Sequence, residues 1–202
     1  MANTSRINGF RPVKHLSGAP YNGQANLYYV ASAADEILVG DVIKRGSTGD
    51  AYGNPTADLC GATDQPVGIC VGILHSKFDP NGKMTTGAVS LDLPAQAQIA
   101  ASGAGYILVA DDPGLVMEVE ASNGTPVVTD IGLNASHANG SRTSSTVTSP
   151  AYLDFGTEAT TSTLNFHILG LAQRVDNEIG ASCRFNVRFN VHAYGSVGVT
   201  GQ

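Results

Sequence analysis

Paired carboxylates are the side chains of this sequence with the clearest capacity for chemistry. They occur at Asp35-Glu36, at Asp111-Asp112, at Glu118 with Glu120, and at Asp176 with Glu178. Acid–base catalysis needs two carboxyl groups in one cleft with pKa values pushed apart. Asp111 and Asp112 precede the turn signal Pro113-Gly114, so we expect them in an exposed turn. We expect Glu118 and Glu120 on a solvent-facing strand surface, so the sequence predicts no catalytic carboxylate pair.

Histidines and cysteines, the usual ligands of transition metals, lack ligand spacing in this chain. The five histidines include neither H-E-x-x-H nor H-x-H, and the three cysteines include no C-x-x-C pair. His167 and His192 would approach each other if their strands pair, but solvent-facing or hydrogen-bonded histidines are the simpler expectation. We expect Cys60, Cys70 and Cys183 to be small buried hydrophobes. No metal site and no cofactor are predicted.

Glycine and serine motifs of catalysis are incomplete. No serine has glycine two positions away on both sides, as a hydrolase nucleophile elbow requires. The Gly82-Lys83 pair lacks the earlier glycine of a phosphate-binding loop, and Met84 stands where Ser or Thr should bind magnesium. We therefore predict no catalytic residue, and we expect that the protein is not an enzyme.

The clearest structural pattern is C-R-F-N-V-R-F-N-V-H-A-Y, from Cys183 to Tyr194. Apolar residues occupy every second position, and strand side chains alternate between two faces, so the pattern predicts a half-buried β-strand. Alternation from Leu164 to Ile168 predicts a second strand, antiparallel to the first. The polar face of the longer strand is a candidate contact with a sister subunit or a shell, with plain solvent exposure as the alternative. Its residues are Arg184, Asn186, Arg188, Asn190 and His192.

Shorter apolar runs are separated by turn signals along the rest of the chain. Tyr106 to Ala110 and Leu115 to Glu120 flank Asp111-Asp112-Pro113-Gly114, which predicts a hairpin. Residues 134–150 have no apolar period and predict a long surface loop. No repeat of fixed period is present. We therefore expect an all-β fold, an antiparallel sandwich or barrel with long loops.

Charge is distributed unevenly along the 202 residues. Residues 1–30 carry three basic side chains and no acid, a net charge of +3, whereas residues 31–130 carry four basic and thirteen acidic side chains, a net charge of −9. An acidic body repels phosphates, so we expect no direct binding of nucleic acid. The chain has no apolar run long enough for a membrane span, and its first ten residues lack the apolar stretch of a secretion signal. We expect synthesis in the cytoplasm and no membrane association.

Residues 1–30 combine turn-forming residues with isolated aromatic and basic side chains, without a helical or strand period. Such a segment is typical of an arm that lies extended on another surface. We therefore predict an extended N-terminal arm over residues 1–30 and a single β-rich domain over residues 31–202, with a merely disordered terminus as the alternative. The candidate anchoring residues are Arg6, Phe10, Arg11, Lys14, His15 and Tyr21.

The two ends of the chain carry its most distinctive segments. These are the opening N-G-F-R-P-V-K-H-L-S-G-A-P-Y-N-G-Q, the closing I-L-G-L-A-Q-R-V-D-N-E-I-G and the strand F-N-V-R-F-N-V-H-A-Y. Together they resemble virion structural proteins of tailed bacteriophages, and within that group they look most like capsid decoration, or cement, proteins. The resemblance covers roughly the first 30 and the last 40 residues.

The resemblance implies a β-rich subunit on the outer surface of an icosahedral head. Such a subunit bridges neighbouring major capsid protein subunits and stabilises the shell against internal DNA pressure. It also implies a homo-oligomer, with a trimer favoured over a dimer, that is made in the host cytoplasm and located in the virion. The alternative is a receptor- or glycan-binding virion module of a tail or fibre, with residues 134–150 as its binding surface.

Overall fold

The computed structural model of the chain describes residues 3–31, 33, 36–74, 98–99, 104–142, 148–195, 198 and 200–201. Within these ranges the chain forms β-strands and one short 3-10 turn at Val128–Asp130, which confirms the all-β expectation. In chain order the strands are β1 (Arg11–His15), β2 (Asn26–Val30), β3 (Ile37–Leu38), β4 (Val42–Gly49), β5 (Pro55–Leu59), β6 (Pro66–Ile73), β7 (Gln98–Ile99), β8 (Gly105–Ala110), β9 (Leu115–Ser122), β10 (Asn134–Ala138), β11 (Tyr152–Ala159), β12 (Phe166–Leu171) and β13 (Arg184–Phe189).

The first half of the chain forms a closed five-stranded barrel in the order β2-β5-β4-β6-β8. Every neighbouring pair is antiparallel except β2 with β5, which is parallel. The strands are short and rich in Val, Ile and Gly, so each contributes a few apolar side chains to the interior. Fully buried members of this interior are Val30, Ile43, Val67, Ile107 and Val109.

The second half forms another closed circuit of strand pairs. β9 pairs with β13, β13 with β12, β12 with β10, and β10 with β11, and all four pairs are antiparallel. β11 then returns to β9 in a parallel pair. The N-terminal strand β1 is added to this half, antiparallel to the beginning of β9.

The two halves have the same strand topology. In each, the first of five strands pairs in parallel with the third, and the remaining pairs join third to second, second to fourth, fourth to fifth and fifth to first. The fourth strands share a β-bulge at a glycine, between Cys70 and Gly72 in β6 and between Ile168 and Gly170 in β12. The fold therefore contains a structural duplication that the sequence does not reveal as a repeat.

A continuous core joins the two halves. The apolar cluster inside the second barrel includes Met117, Phe155 and Phe185, and it continues across the junction to Val42 and Ile69 of the first barrel. All five side chains are at most 3% exposed. Burial of such side chains stabilises the fold by roughly 1.5–3 kcal/mol each. The junction is therefore a packed interface rather than a flexible linker.

The predicted hairpin around residues 111–114 is wrong in its pairing. The strands β8 and β9 flank the turn as expected, but β8 pairs with β2 and β6, whereas β9 pairs with β1, β11 and β13. The turn itself forms, since the Leu115 N–H donates to the Asp112 carbonyl oxygen at 3.1 Å. Turn residues predict a reversal of the chain but not which edges the flanking strands join. This turn is the link between the two barrels.

The predicted surface loop at residues 134–150 is also wrong for its first part. Residues 134–138 form strand β10, in which Asn134, Ala135, Ser136 and His137 are buried. The Asn134 side-chain amide donates to the Thr161 carbonyl oxygen at 3.0 Å, so its buried polarity is hydrogen-bonded. Polar residues satisfied in this way conceal a buried strand from an analysis of hydrophobic periodicity. Residues 143–147 lie outside the described residues.

The long alternating strand is confirmed over its first half. β12 and β13 are antiparallel neighbours, as predicted, and Phe185, Val187 and Phe189 are fully buried. The strand ends at Phe189, and beyond it the exposure pattern changes, with Asn190 buried and Val191 partly exposed. The single face predicted from Cys183 to Ala193 is therefore correct only as far as Phe189.

The predicted arm over residues 1–30 differs from the structure in two places. Residues 26–30 are strand β2 of the first barrel, and residues 11–15 are strand β1 on the second barrel. The segment therefore crosses between the two barrels instead of extending away from them. Backbone pairing was hidden in the sequence because Pro12, Gly18 and Pro20 interrupt any strand period.

Candidate functional site

The start of the chain is tied to the second barrel by polar contacts. The Asn3 side-chain amide donates to the carbonyl oxygens of Glu178 and Ala181 at 2.7 and 3.0 Å, and its oxygen accepts the Glu178 N–H at 2.9 Å. The carboxylate of Glu120 accepts from the Ser5 hydroxyl and from the Arg6 N–H, both at 2.7 Å. The Arg6 side chain remains exposed, whereas its backbone is held in place.

Phe10 belongs to the core and cannot be a surface contact. Its side chain is 1% exposed, and its ring is stacked on Phe166 with centroids 4.5 Å apart. The Phe10 N–H donates to the Gly40 carbonyl oxygen at 2.8 Å, which fixes the backbone beside the first barrel. The prediction that Phe10 anchors an arm on another protein is therefore corrected. An isolated aromatic residue among turn formers gives no periodic signal that would reveal its burial.

The exposed part of the N-terminal segment forms a basic and apolar strip, which we define as Arg11, Val13, Lys14 and Leu16. Arg11 and Lys14 are exposed, and Val13 and Leu16 are 37% and 52% exposed. The pairing of β1 with β9 includes an irregular register between Pro12 and Lys14, which leaves Val13 and Lys14 both facing solvent. Three members of the strip are therefore presented on a fixed strand, and Leu16, the first residue after β1, is held by the hydrogen bond from its N–H to the Gly114 carbonyl oxygen at 2.8 Å.

The two remaining predicted arm residues lie together beside this strip. His15 Nδ1 is 2.6 Å from Asp112 Oδ2, and His15 Nε2 is 3.2 Å from Gln24 Oε1. The Tyr21 hydroxyl donates to the Gln24 carbonyl oxygen at 3.0 Å, and its ring centroid is 6.3 Å from that of His15. Burial raises the pKa of Tyr21. His15 therefore holds the turn after β1 against the link between the barrels, whereas Tyr21 is hydrogen-bonded within the N-terminal segment.

The polar face of β13 is partly an internal ion-pair network. Arg184 is 3.3 Å from Glu118 and 3.9 Å from Glu120, and it donates to the Arg6 carbonyl oxygen at 2.7 Å. Arg174 approaches the same Glu118 at 2.7 Å. Glu118 and Glu120 are buried, so their predicted solvent-facing position is wrong. The paired charges come from three separate segments of the chain, so the spacing of residues within one segment could not predict this network.

The other residues of the predicted face divide into two groups. Asn186 and Arg188 are half-buried, and Arg188 is paired across the sheet with His167. Asn190 and His192 are buried, which corrects their assignment to a contact surface. The Asn190 amide donates to the Ser162 and Leu164 carbonyl oxygens at 2.9 and 3.0 Å.

His192 is buried and forms a hydrogen bond within the fold. Its Nδ1 accepts the Tyr194 N–H at 3.0 Å, and burial lowers the pKa of the imidazole. Burial and the neighbouring Arg188 lower the pKa of His167. His167 pairs with Arg188 across the sheet and not with His192, so the strands do not bring the two histidines into register. Among the described residues, no group of three or more His, Cys, Asp or Glu side chains is placed to hold a metal ion.

A buried ion pair between Asp41 and Arg142 lies near the junction of the two barrels, and the sequence did not predict it. The Arg142 guanidinium donates to both carboxylate oxygens of Asp41, at 2.7 and 2.9 Å, and the Ser149 hydroxyl also donates to Asp41. Asp41 is fully buried and also accepts the Leu38 N–H at 2.7 Å. The paired residues are separated by 101 positions, so only the fold brings them together. This pair fastens the chain after β10 to the turn between β3 and β4.

The cysteines behave as predicted. Cys60, Cys70 and Cys183 are free and buried, and burial raises the pKa of each thiol, that of Cys60 to about 12. In the ranges that the structure covers, no helix has the length and apolar character needed to cross a membrane.

Comparison with known proteins yields no relative from which a function could be transferred. No family model matches the chain, and neither a curated protein nor a solved structure matches it.

Proposed function

We propose that this chain is a decoration protein that binds the outer surface of a tailed-phage head, bridges neighbouring major capsid protein subunits and stabilises the shell. The observation that carries the proposal is the strip Arg11, Val13, Lys14 and Leu16, a basic and apolar surface held by β1 and the first residue after it, on an otherwise acidic chain. The resemblance of the two chain ends to decoration proteins supports the same role.

The strip has the chemistry of a protein-binding surface. Burial of its apolar side chains against a partner would stabilise the complex. Its two cations favour an acidic partner surface and accelerate association. Because β1 is already paired with β9, little backbone entropy is lost on binding. We therefore assign docking to the rigid strand β1, and not to the extended arm that was expected from the sequence.

The two-barrel body suits a bridging role. A continuous core and the buried Asp41–Arg142 pair connect the halves, so a load applied to one half is transmitted to the other. In this role the protein binds through surfaces, needs no cofactor and catalyses no reaction. Its partners are the major capsid protein and further copies of itself, as a trimer in preference to a dimer, and neither nucleic acid nor a membrane is involved.

Co-sedimentation with undecorated heads tests the proposal. We expect the double variant Arg11→Ser and Lys14→Ser to bind about tenfold more weakly and with a smaller dependence on salt, because two exposed cations are removed. The control is Arg45→Ser, which removes an exposed cation from β4 of the first barrel and should bind like the parent. Equal binding of the double variant and the control would remove the strip from the interface.

A further inference from the structure

A groove opens where the two barrels meet the N-terminal segment. Its volume is about 590 Å³, within the range of ligand sites. One wall is the turn after β1, another is the chain leading into β2, and the third is the link between β8 and β9. Polar and aromatic residues on these walls include His15, Tyr21, Gln24, Asn26, Asp111 and Asp112.

Asp112 supplies free acceptor capacity to this groove. One oxygen accepts the Gly114 N–H at 2.7 Å and the other lies 2.6 Å from His15 Nδ1, so the carboxylate is held in a fixed orientation. A carboxylate can accept about four hydrogen bonds, and the side chain is 50% exposed. Asp111 is nearly saturated, because Asn26 and Tyr28 donate three hydrogen bonds to it. The groove therefore offers one preorganised, accessible carboxylate.

Donors and a ring surround that carboxylate. One end of the Gln24 side-chain amide contacts His15 Nε2 at 3.2 Å, which leaves the other end to bind a ligand, and Ser17 adds an exposed hydroxyl. The Tyr21 ring is partly buried against the core and forms an apolar wall. A ligand in the groove thus meets acceptors, donors and an aromatic surface together.

We propose that this groove binds an uncharged saccharide. Sugar hydroxyls both donate and accept, which matches the mixed set formed by Asp112, Gln24 and Ser17, and the C–H face of a sugar ring packs on an aromatic ring such as Tyr21. Two carboxylates in the wall repel acidic sugars. A cationic side chain only donates, so it would offer no acceptor to the hydroxyl hydrogen of Ser17. The assignment is independent of the proposed capsid-binding role, because it uses neither Arg11 nor Lys14.

Two NMR measurements on the full chain test the site with glucose, galactose, mannose and N-acetylglucosamine. Saturation transfer detects the bound sugar, and ¹H–¹⁵N correlation spectra show which amides of the protein shift. We expect at least one of these sugars to bind, with shifts confined to the groove, and we expect Asp112→Asn and Tyr21→Ala each to weaken binding about tenfold or more. Asp154→Asn is the matched control. Asp154 accepts the Gly156 N–H as Asp112 accepts that of Gly114, but it lies on β11 outside the groove.

Thermal melting of each variant shows whether the fold is retained. Because a misfolded variant would lose binding for a trivial reason, the shifts in the parent protein on adding sugar give a second, independent measure. Absence of binding by all four sugars at millimolar concentration would overturn the proposal. Equal binding by Asp112→Asn and Asp154→Asn, or preferential binding of a lysine-rich peptide to the groove, would overturn it as well.

Discussion

Phe10 and Phe166 stack with ring centroids 4.5 Å apart and an interplanar angle of 24°, deep in the second barrel. This contact makes the N-terminal segment part of the fold, since Phe10 is as buried as the barrel residues around it. Removal of the segment would therefore open the core as well as remove the proposed binding surface.

Phe10→Ala should lower the free energy of unfolding by about 3–5 kcal/mol, through lost apolar burial and the cavity left beside Phe166. Leu16→Ala, at an exposed position of the same segment, should change it by less than about 0.5 kcal/mol. Urea unfolding followed by tyrosine fluorescence measures both. Equal and small effects would mean that residues 3–10 do not contribute to the core. Deletion of residues 2–24 should accordingly unfold the second barrel.

Arg142→Ala should destabilise the protein by about 3–5 kcal/mol, because it leaves the buried Asp41 carboxylate without its cation. Lys44→Ala is the comparison, since the Lys44–Asp64 pair is 37% and 40% exposed and should contribute at most about 1 kcal/mol. Denaturant midpoints of the two variants decide the matter. A loss for Arg142→Ala no greater than that for Lys44→Ala would show that the buried Asp41 carboxylate does not depend on Arg142.

The three thiols should be unreactive in the folded protein. Burial raises the pKa of Cys60 to about 12 and also raises the pKa values of Cys70 and Cys183, so almost no thiolate is present at pH 8. A colorimetric disulfide reagent should react with no thiol in the native state within minutes and with three thiols in denaturant. Rapid native reaction of one thiol would indicate local opening at that site.

Stability should fall as the pH is lowered below about 6.5. Burial lowers the pKa of His137, His167 and His192 below the unfolded value, so the unfolded chain takes up protons that the native protein does not. Their contribution to stability is present above the unfolded pKa and is lost as the pH falls toward the folded values. Each histidine adds a slope of up to about 1.4 kcal/mol per pH unit in this window.

The pH dependence can be assigned to a residue. His137→Gln should reduce the slope of unfolding free energy between pH 6.5 and 5.5, because Gln does not titrate, even if the variant is less stable at every pH. Urea midpoints over this range measure the slope. An unchanged slope would assign the acid sensitivity to other groups.

Prediction from the sequence succeeded where one strand face is apolar and the other polar. The strands near Phe166 and Phe185 alternate over several residues, and their antiparallel pairing was therefore predicted correctly. It failed at β10, where buried Asn134 and His137 are polar but hydrogen-bonded within the fold. In both cases the structure depends on which side chains are buried. The polarity of a residue predicts its burial only when the fold offers that residue no internal hydrogen-bond partner.

The duplicated topology lay beyond sequence reasoning for a different reason. Equivalent strands such as β6 and β12 share a bulge at Gly72 and Gly170. At the three positions before the bulge, however, β6 has Gly, Ile and Cys (residues 68–70), whereas β12 has Phe, His and Ile (residues 166–168). Strand order depends on long-range pairing, which residue spacing does not encode. For the same reason, the turn signal at residues 111–114 predicts a hairpin although the two flanking strands pair with other strands.

The candidate docking residues were predicted only in part. Arg11 and Lys14 are exposed as expected, but Phe10, Asn190 and His192 are buried, and Arg184 is occupied by Glu118. Isolated charges and aromatics in an aperiodic segment indicate contact with something, and that partner can be the chain's own core as readily as another protein.

Electron cryo-microscopy of virions produced from the genome that encodes this chain tests the central claim most directly. We expect density for two linked five-stranded barrels on the outer surface of the head, with β1 facing the major capsid protein. Finding the chain in the tail or fibres, or in no purified particle, would contradict it.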